Sequence, residues 1–325
     1  MFRAIFIENT NGTNKVRLAD LDEDTLPEGE VTVAIEYSTV NYKDALAITG
    51  RAPVVRRFPM VPGIDLAGVV EASANSDIRI GDKVLLNGWG VGETHWGGLA
   101  EKARVSADWL IKLPAGMDTR QAMSLGTAGY TAMLCVQALE RNGVTADRGE
   151  VLVSGATGGV GSVAVALLAA RGYSVVASTG KVAQADYLKS LGASEVMERI
   201  APTTKPLAKE RWAGAIDSVG SHTLASICTQ MHYGGVVAAC GLAQGMDFPA
   251  TVAPFILRGV CLIGIDSVYA PIAARKAAWD ALAREIAPQT LEKIVREVPL
   301  SEAIGTSHAL LEGAITGRTI VNVRR

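Results

Sequence analysis

Residues Val151 to Arg171 read VLVSGATGGVGSVAVALLAAR. No charge occurs from Val151 to Ala170, a run as long as the roughly 20 apolar residues that cross a bilayer. Gly155, Gly158, Gly159 and Gly161 are bunched near its start, with Ser154, Thr157 and Ser162 among them. Each glycine would weaken a spanning helix. Together they separate a β-branched run, VLV, from a helix-forming run, VAVALLAA. The stretch is therefore read as a strand, a glycine turn and a helix buried in an α/β sheet.

The glycines at 155, 158 and 161 form a variant of the dinucleotide-binding fingerprint. Without a Cβ the turn can be tight and the backbone can approach a pyrophosphate. The helix that starts near Gly159 directs free N–H groups and its positive end at that anion. A glycine motif alone is weak evidence, but this one follows a strand, opens a helix and sits in a βαβ unit. The alternative is a glycine turn that serves packing only. Thr157, Gly158, Gly159, Val160 and Gly161 are the candidate contacts.

An acid about 20 residues on ordinarily binds the ribose 2′-OH of NAD. Here the next strand, SVVAS, runs into Ser178, Thr179, Gly180 and Lys181, with no carboxylate. Hydroxyls and a lysine accept a 2′-phosphate that an acid would repel, at about 1.5–3 kcal/mol per charge-assisted bond. The expected cofactor is NADPH. Read blandly, Lys181 is a solvated residue at a helix start.

The surroundings fit a cofactor enzyme. The chain has 325 residues, 49% of them hydrophobic, enough for one large or two medium domains. A net charge of −2 gives no reason to expect nucleic acid or an anionic membrane as partner, and 5% aromatic content argues against a base-stacking surface. Cys135, Cys228, Cys240 and Cys261 form no CxxC pair and match no zinc or disulfide spacing. They read as buried thiols in a reducing cytosol. The start, MFRAIFIENTNG, lacks a signal-peptide core. The expected location is the cytoplasm.

Before Asp118 the chain reads as β-rich. FRAIFI and EVTVAIEYS alternate as half-buried strands do, with the polar loop DLDEDTLPEGE before the second. GIDLAGVVEAS, DKVLLNG, GGLAEKARVS and WLIKLP continue the pattern. Residues Met117 to Gly143 have helical spacing and end on a glycine cap. After them strands and helices alternate, which implies a parallel, doubly wound sheet. PIAARKAAWDALAREI reads as a late helix and TIVNV as the final strand.

VNYKDALAITG, FPMVPGIDLAGVV, GWGVGETHWGGLAEKARV, GTAGYTAMLCV, GATGGVGSVAV, WAGAIDSVG and GRTIV follow one another in an order that resembles the medium-chain dehydrogenase/reductase superfamily. Together they are similar to its zinc-independent, quinone oxidoreductase-like branch, and within it to the bacterial acryloyl-CoA reductases. The resemblance implies an α/β chain: a GroES-like β-rich catalytic domain over 1–124 and 267–325, and a Rossmann NADPH-binding domain over 125–266. It also implies a homodimer. Zinc-bearing relatives place a cysteine where this chain has Asn41 and a histidine where it has Ile64. They carry four cysteines where it reads GWGVGETHWGG. No metal is expected, since His95 alone cannot build a zinc site; a structural His95 is the default.

Reduction of a C=C bond conjugated to a carbonyl fits a chain without Lewis-acid help. The resemblance implies NADPH-dependent conversion of acryloyl-CoA to propanoyl-CoA. An NADPH:quinone reductase and a non-catalytic NADPH-binding protein are the alternatives. In NYKD, Asn41 and Tyr42 are candidate hydrogen-bond donors to the enolate, with Tyr42 also the candidate proton donor and a cofactor contact. Related enoyl reductases use a tyrosine in a later loop, where this chain reads GRAPVVRR. Lys43 and Asp44 are read as a local ion pair, or NYKD only caps a short helix. Arg51, Arg56 and Arg57 are candidates for the CoA phosphates, or a solvated loop. Further cofactor contacts implied by the resemblance are Arg199, Val219, Gly241, Leu242, Ile265, Asp266, Ser267 and Arg318.

Overall fold

The structure is a computed structural model and describes all residues, Met1–Arg325. The chain divides into two units. One holds Met1–Thr127, Ser267–Ala283 and Ile294–Arg325; the other holds Ala128–Asp266 and Arg284–Lys293.

In the first unit β1 (Phe2–Thr10) and β2 (Thr13–Leu21) form a two-residue hairpin. Its turn is Asn11-Gly12, both with positive φ, the conformation that matches the twist of the paired strands. β2 is mostly exposed, so the apolar alternation used to find strands is faint there, and the Asn-Gly pair is its one strong sequence signal. Next come β3 (Val31–Thr39), α1 (Tyr42–Thr49), β4 (Asp65–Ser73), β5 (Lys83–Asn87), β6 (Lys102–Val105) and β7 (Ile111–Lys112). β3 buries Val31, Val33 and Ile35 at alternate positions, as a period-two pattern requires.

The chain passes into the second unit within α2 (Thr119–Arg141). The spacing predicts one helix here; the structure breaks it at Gly126, whose φ of 51° and ψ of −156° are not helical. The second unit then runs through β8 (Glu150–Val153), α3 (Gly159–Ala170), β9 (Val175–Ser178), α4 (Ala185–Ser190), β10 (Glu195–Met197), β11 (Trp212–Asp217), α5 (Ser221–Thr229), β12 (Met231–Ala239), α6 (Ala253–Arg258) and β13 (Cys261–Gly264). Its six strands are all parallel, in the order β10-β9-β8-β11-β12-β13. That is a doubly wound sheet whose order reverses between β8 and β11. Leu152, Val176, Trp212, Ala215, Ile227 and Val237 are part of its core.

The rest is α7 (Ile272–Glu285), α8 (Pro288–Ile294), β14 (Val295–Pro299), α9 (Ala303–Leu311) and β15 (Arg318–Asn322). β14 and β15 complete the seven-stranded sheet of the first unit, with β15 antiparallel to β3.

The uncharged stretch at Val151 is thus β8, a turn and α3. It lacks charge because β8 is flanked by strands on both sides and α3 buries every residue from Gly161 to Leu168. No helix is long and apolar enough to cross a membrane.

Candidate active site

The cofactor residues expected in the second unit lie where its strands end. β8 leads into Ser154 and the glycine turn. Gly155 has a φ of 60°, in the left-handed region. A Cβ at Gly161 would collide with the Gly155 carbonyl oxygen and with Ala156 Cα, so α3 packs onto the turn only because position 161 has no side chain. The N–H groups of Gly159, Val160 and Gly161 find no acceptor in the chain, whereas that of Ser162 already bonds Gly158 O. A helix start of this kind favours an anion.

Two polar pairs hold the turn open. Ser154 Oγ donates to Asp217 Oδ1 at 2.5 Å, tying the end of β8 to that of β11 at the point where the strand order reverses. Asp217 also accepts from Gly220 N, and its burial raises its pKa. Thr157 Oγ1 meets Thr179 Oγ1 at 2.9 Å, linking the turn to the end of β9.

Of the residues expected beside the ribose, Ser178 is buried and its hydroxyl donates to Glu198 O, so it braces β9 against the chain after β10. Thr179 Oγ1 accepts from Lys181 N. Partial burial lowers the pKa of Lys181. The Arg199 guanidinium lies directly over Gly180, in space that a Cβ there would occupy. Two cations therefore flank the end of β9, without an acid among Ser178, Thr179 and Gly180. Val219, Gly241, Leu242, Ile265 and Asp266 follow the C-terminal ends of β11, β12 and β13. Ser267 opens a segment of the first unit, where its carbonyl accepts from Arg275.

The first unit holds a buried polar network that the sequence reading touched only at its rim. Asp65, fully buried at the start of β4, accepts through Oδ2 from Thr39 Oγ1 (2.6 Å) and Asn41 Nδ2 (2.8 Å). Oδ1 accepts from Asn87 Nδ2 and Thr127 Oγ1, both at 2.6 Å. Thr127 N points at both oxygens. The break at Gly126 makes this possible: it turns the restarted helix toward Asp65 so that the carboxylate satisfies its first N–H. A Cβ at Gly126 would meet Asp65 and Arg318.

Arg318, 3% exposed, donates Nη1 to Asn41 Oδ1 at 2.8 Å and sets Nη2 at 3.7 Å from Asp65 Oδ2. Asn41 thus has its Oδ1 on Arg318, and its Nδ2 faces Thr39, Asp44 and Asp65. Both ends of that amide are engaged, so Asn41 anchors the start of α1. Tyr42, the first residue of that helix, is 44% exposed. Asp44 accepts from Asn41 N and Ile64 N, and the expected Lys43–Asp44 pair does not form: Lys43 Nζ bonds Glu93 at 2.9 Å instead, because Asp44 is buried. His95 Nε2 lies 2.7 Å from Arg104 O and edge-on to Trp109, a structural position. Arg51 and Arg57 line two different depressions, and Arg56 is exposed between them.

Two family models match: the alcohol dehydrogenase GroES-like domain over residues 27–115, and the zinc-binding dehydrogenase domain over residues 159–284. Acrylyl-CoA reductase AcuI of Ruegeria pomeroyi is 53% identical over 328 residues, 99% of each chain. The putative quinone oxidoreductase YhfP of Bacillus subtilis is 45% identical over 327 residues, again 99% of each. The crystal structure of Escherichia coli K-12 YhdH with bound NADPH superposes with a TM-score of 0.97 at 52% identity, covering 98% of this chain and 99% of that one. The chain belongs to the medium-chain dehydrogenase/reductase superfamily.

Zinc, which the second model's description implies, does not suit these residues. No group of three or more His, Cys, Asp or Glu is placed to hold a metal. Asn41 and Ile64 offer neither a thiolate nor an imidazole, and Arg318 already supplies a cation beside Asp65. Asp65, Thr127, Gly126, Ser154 and Asp217 escaped the sequence reading. Asp65 sits in PGIDLAG and Asp217 in AIDSVG, each an acid set in an apolar strand, a signal that it has buried partners.

Burial raises the pKa of Asp44 from 3.8 to about 7, with the Asp65 charge adding to the rise and the Asn41 and Ile64 N–H groups opposing it. A raised folded-state value means that the contribution of the protonated acid is complete below pH ~4 and is lost as pH climbs through 7. Urea unfolding of wild type and Asp44→Asn should therefore diverge with rising pH. The variant should gain on wild type by up to about 1.4 kcal/mol per pH unit between pH 4 and 7, on top of any constant offset. A difference that stays flat with pH contradicts a protonated Asp44.

Proposed function

We propose that the protein is an NADPH-dependent oxidoreductase that reduces the C=C bond of a short enoyl-CoA, acryloyl-CoA to propanoyl-CoA. The observation that carries this is the 53% identity with acrylyl-CoA reductase AcuI across 99% of both chains. NADPH supplies the hydride, delivered to the β-carbon. The unpaired N–H groups of Gly159, Val160 and Gly161, with Thr157 and Gly158 shaping the turn, hold the diphosphate. Lys181 and Arg199 take the 2′-phosphate, and Thr179 and Gly180 shape its seat, with Ser178 bracing the strand behind them. Val219, Gly241, Leu242, Ile265, Asp266 and Ser267 flank the rest of the cofactor.

The Tyr42 phenol gives its proton to the α-carbon, the step that general acid catalysis accelerates. Asn41 and Arg318 set the first turn of α1, and hence Tyr42, against the fixed carboxylate of Asp65. The substrate is an acyl-CoA, and of the candidate cations Arg51, Arg56 and Arg57, Arg51 lines an acid-free groove suited to its phosphates. The 45% identity with YhfP favours a second reading, an NADPH:quinone reductase.

We assign the cytoplasm as the compartment, since all four cysteines are free thiols, although only Cys135 and Cys228 are buried as expected, Cys240 being half-buried and Cys261 exposed. A homodimer is the assembly we infer. β13 is one of the two edge strands of the parallel sheet, and Ile256 and Leu257 on the preceding α6 are exposed. Sedimentation should find a species of twice 34.0 kDa; a monomer at micromolar concentration rejects the dimer.

Following NADPH absorbance with acryloyl-CoA, crotonyl-CoA and a benzoquinone tests the function. The enoyl-CoA reading expects acryloyl-CoA to have the highest kcat/KM, with NADH at least about tenfold poorer than NADPH. Benzoquinone turning over faster than both esters gives the quinone reading, and no turnover refutes both. Tyr42→Phe should lower kcat about 10²-fold or more while NADPH still binds. A variant with unaltered kcat removes Tyr42 from the proton-donor role.

A further inference from the structure

The loop that follows α1 gathers three arginines without carboxylate partners, a state that Arg141, Arg284 and Arg296 show singly elsewhere. Arg3, Arg17, Arg120, Arg171, Arg211 and Arg258 are each paired with a carboxylate. Arg51, Arg56 and Arg57 are exposed and make no side-chain hydrogen bond or ion pair. Three unpaired guanidinium groups within seven residues repel one another unless an anion visits.

The three do not share one depression. Arg57 opens onto a hollow that Glu28 also lines. Arg51 opens onto a separate groove of about 340 Å³, lined also by Asn9, Asn14, Gly50, Pro53 and Phe58, with no acid in its lining. Asn14 Oδ1 accepts from Asn9 Nδ2 at 2.7 Å, which orients the Asn14 amide so that its Nδ2 faces Gly50 with no acceptor of its own. Phe58 is 42% exposed on the same groove. The site thus combines an unpaired guanidinium, an unpaired amide donor and an open aromatic face. Phosphates require the first two, and a purine ring stacks on the third.

We propose that this groove binds the phosphorylated adenosine diphosphate end of the acyl-CoA substrate, with Arg51 on the phosphates and Phe58 against the adenine. The proposal rests on the enoyl-CoA reading above and deepens it. Length supports it. α1 runs straight from Tyr42 to the glycine that precedes Arg51, eight residues or about 12 Å of helix. A pantetheine arm is about as long as four or five extended residues, roughly 15 Å. A thioester beside Tyr42 therefore has an arm long enough to bring its diphosphate to Arg51. The groove is a handle, remote from the reacting carbons, that supplies binding energy for positioning. Arg57 plays no part in it.

Calorimetric titration tests this with protein already saturated with NADP⁺, so that the nucleotide site of the second unit is filled. CoA and pantetheine are the probes. Wild type should bind CoA at least about tenfold more tightly than pantetheine, and Arg51→Glu and Phe58→Ala should each weaken CoA about tenfold or more. Arg141→Glu, the same charge change on an exposed helix end of the second unit, should leave CoA within about twofold of wild type. Arg51→Glu is a surface change, so the test stands even if Phe58→Ala misfolds. CoA binding within twofold of wild type in Arg51→Glu, or pantetheine binding as tightly as CoA, overturns the proposal. So does an equal loss in Arg141→Glu. Reduction of acryloyl-CoA is measured separately. Turnover without Arg51 dependence of CoA affinity rejects the groove alone, and absence of turnover rejects the enoyl-CoA reading.

Discussion

The second unit depends on a steric constraint: nothing larger than hydrogen fits at Gly161, because the carbonyl of Gly155 already lies there. That contact draws the first turn of α3 onto the end of β8 and leaves three N–H groups facing outward. Hydrogen-bond donors without acceptors cost free energy if buried, and attract anions if left accessible. Gly155 supplies the left-handed bend that brings the chain round, and the Ser154–Asp217 bond keeps β8 and β11 in register where their crossovers diverge. On the proposed reading, a diphosphate completes what the backbone leaves unsatisfied.

The first unit solves a related problem with a buried carboxylate. Asp65 gathers donors from β3, from the start of α1, from β5 and from the restarted half of α2. A buried charge is tolerable only when paired and hydrogen-bonded. Here five donor groups from four residues and a nearby guanidinium meet that need. The outcome is mechanical: the residues before Tyr42 are fixed, and a broken helix is stabilised at its break. Arg318 and the Asn41 amide supply the charge and the polar contacts beside Asp65.

Much of this was readable from the sequence, for a physical reason. The βαβ unit advertises itself because a parallel sheet buried on both faces must be apolar and its turns must be glycine-rich. The missing acid after β9 was legible because charge selects between cofactors. Less legible was whatever depends on partners distant in the chain. Asn41 reads as a free donor until Arg318 is seen on its oxygen, 277 positions away. Ser178 reads as a phosphate ligand until its hydroxyl is found on Glu198 O. Gly126 lies in a helical pattern that gives no hint of the break, because the reason for the break is the carboxylate of Asp65. The hairpin strand β2 was lost because its faces are mostly wet, so burial wrote no period into it.

In the proposed function the glycine turn is an anion seat and the end of β9 reads the 2′-phosphate. A crystal structure of the NADPH complex examines both at once. The diphosphate oxygens should lie at hydrogen-bond distance, about 2.7–3.2 Å, from the backbone nitrogens at the start of α3, and the 2′-phosphate against Arg199 and Lys181. A diphosphate bound elsewhere, or a 2′-phosphate left in solvent away from both cations, would contradict it.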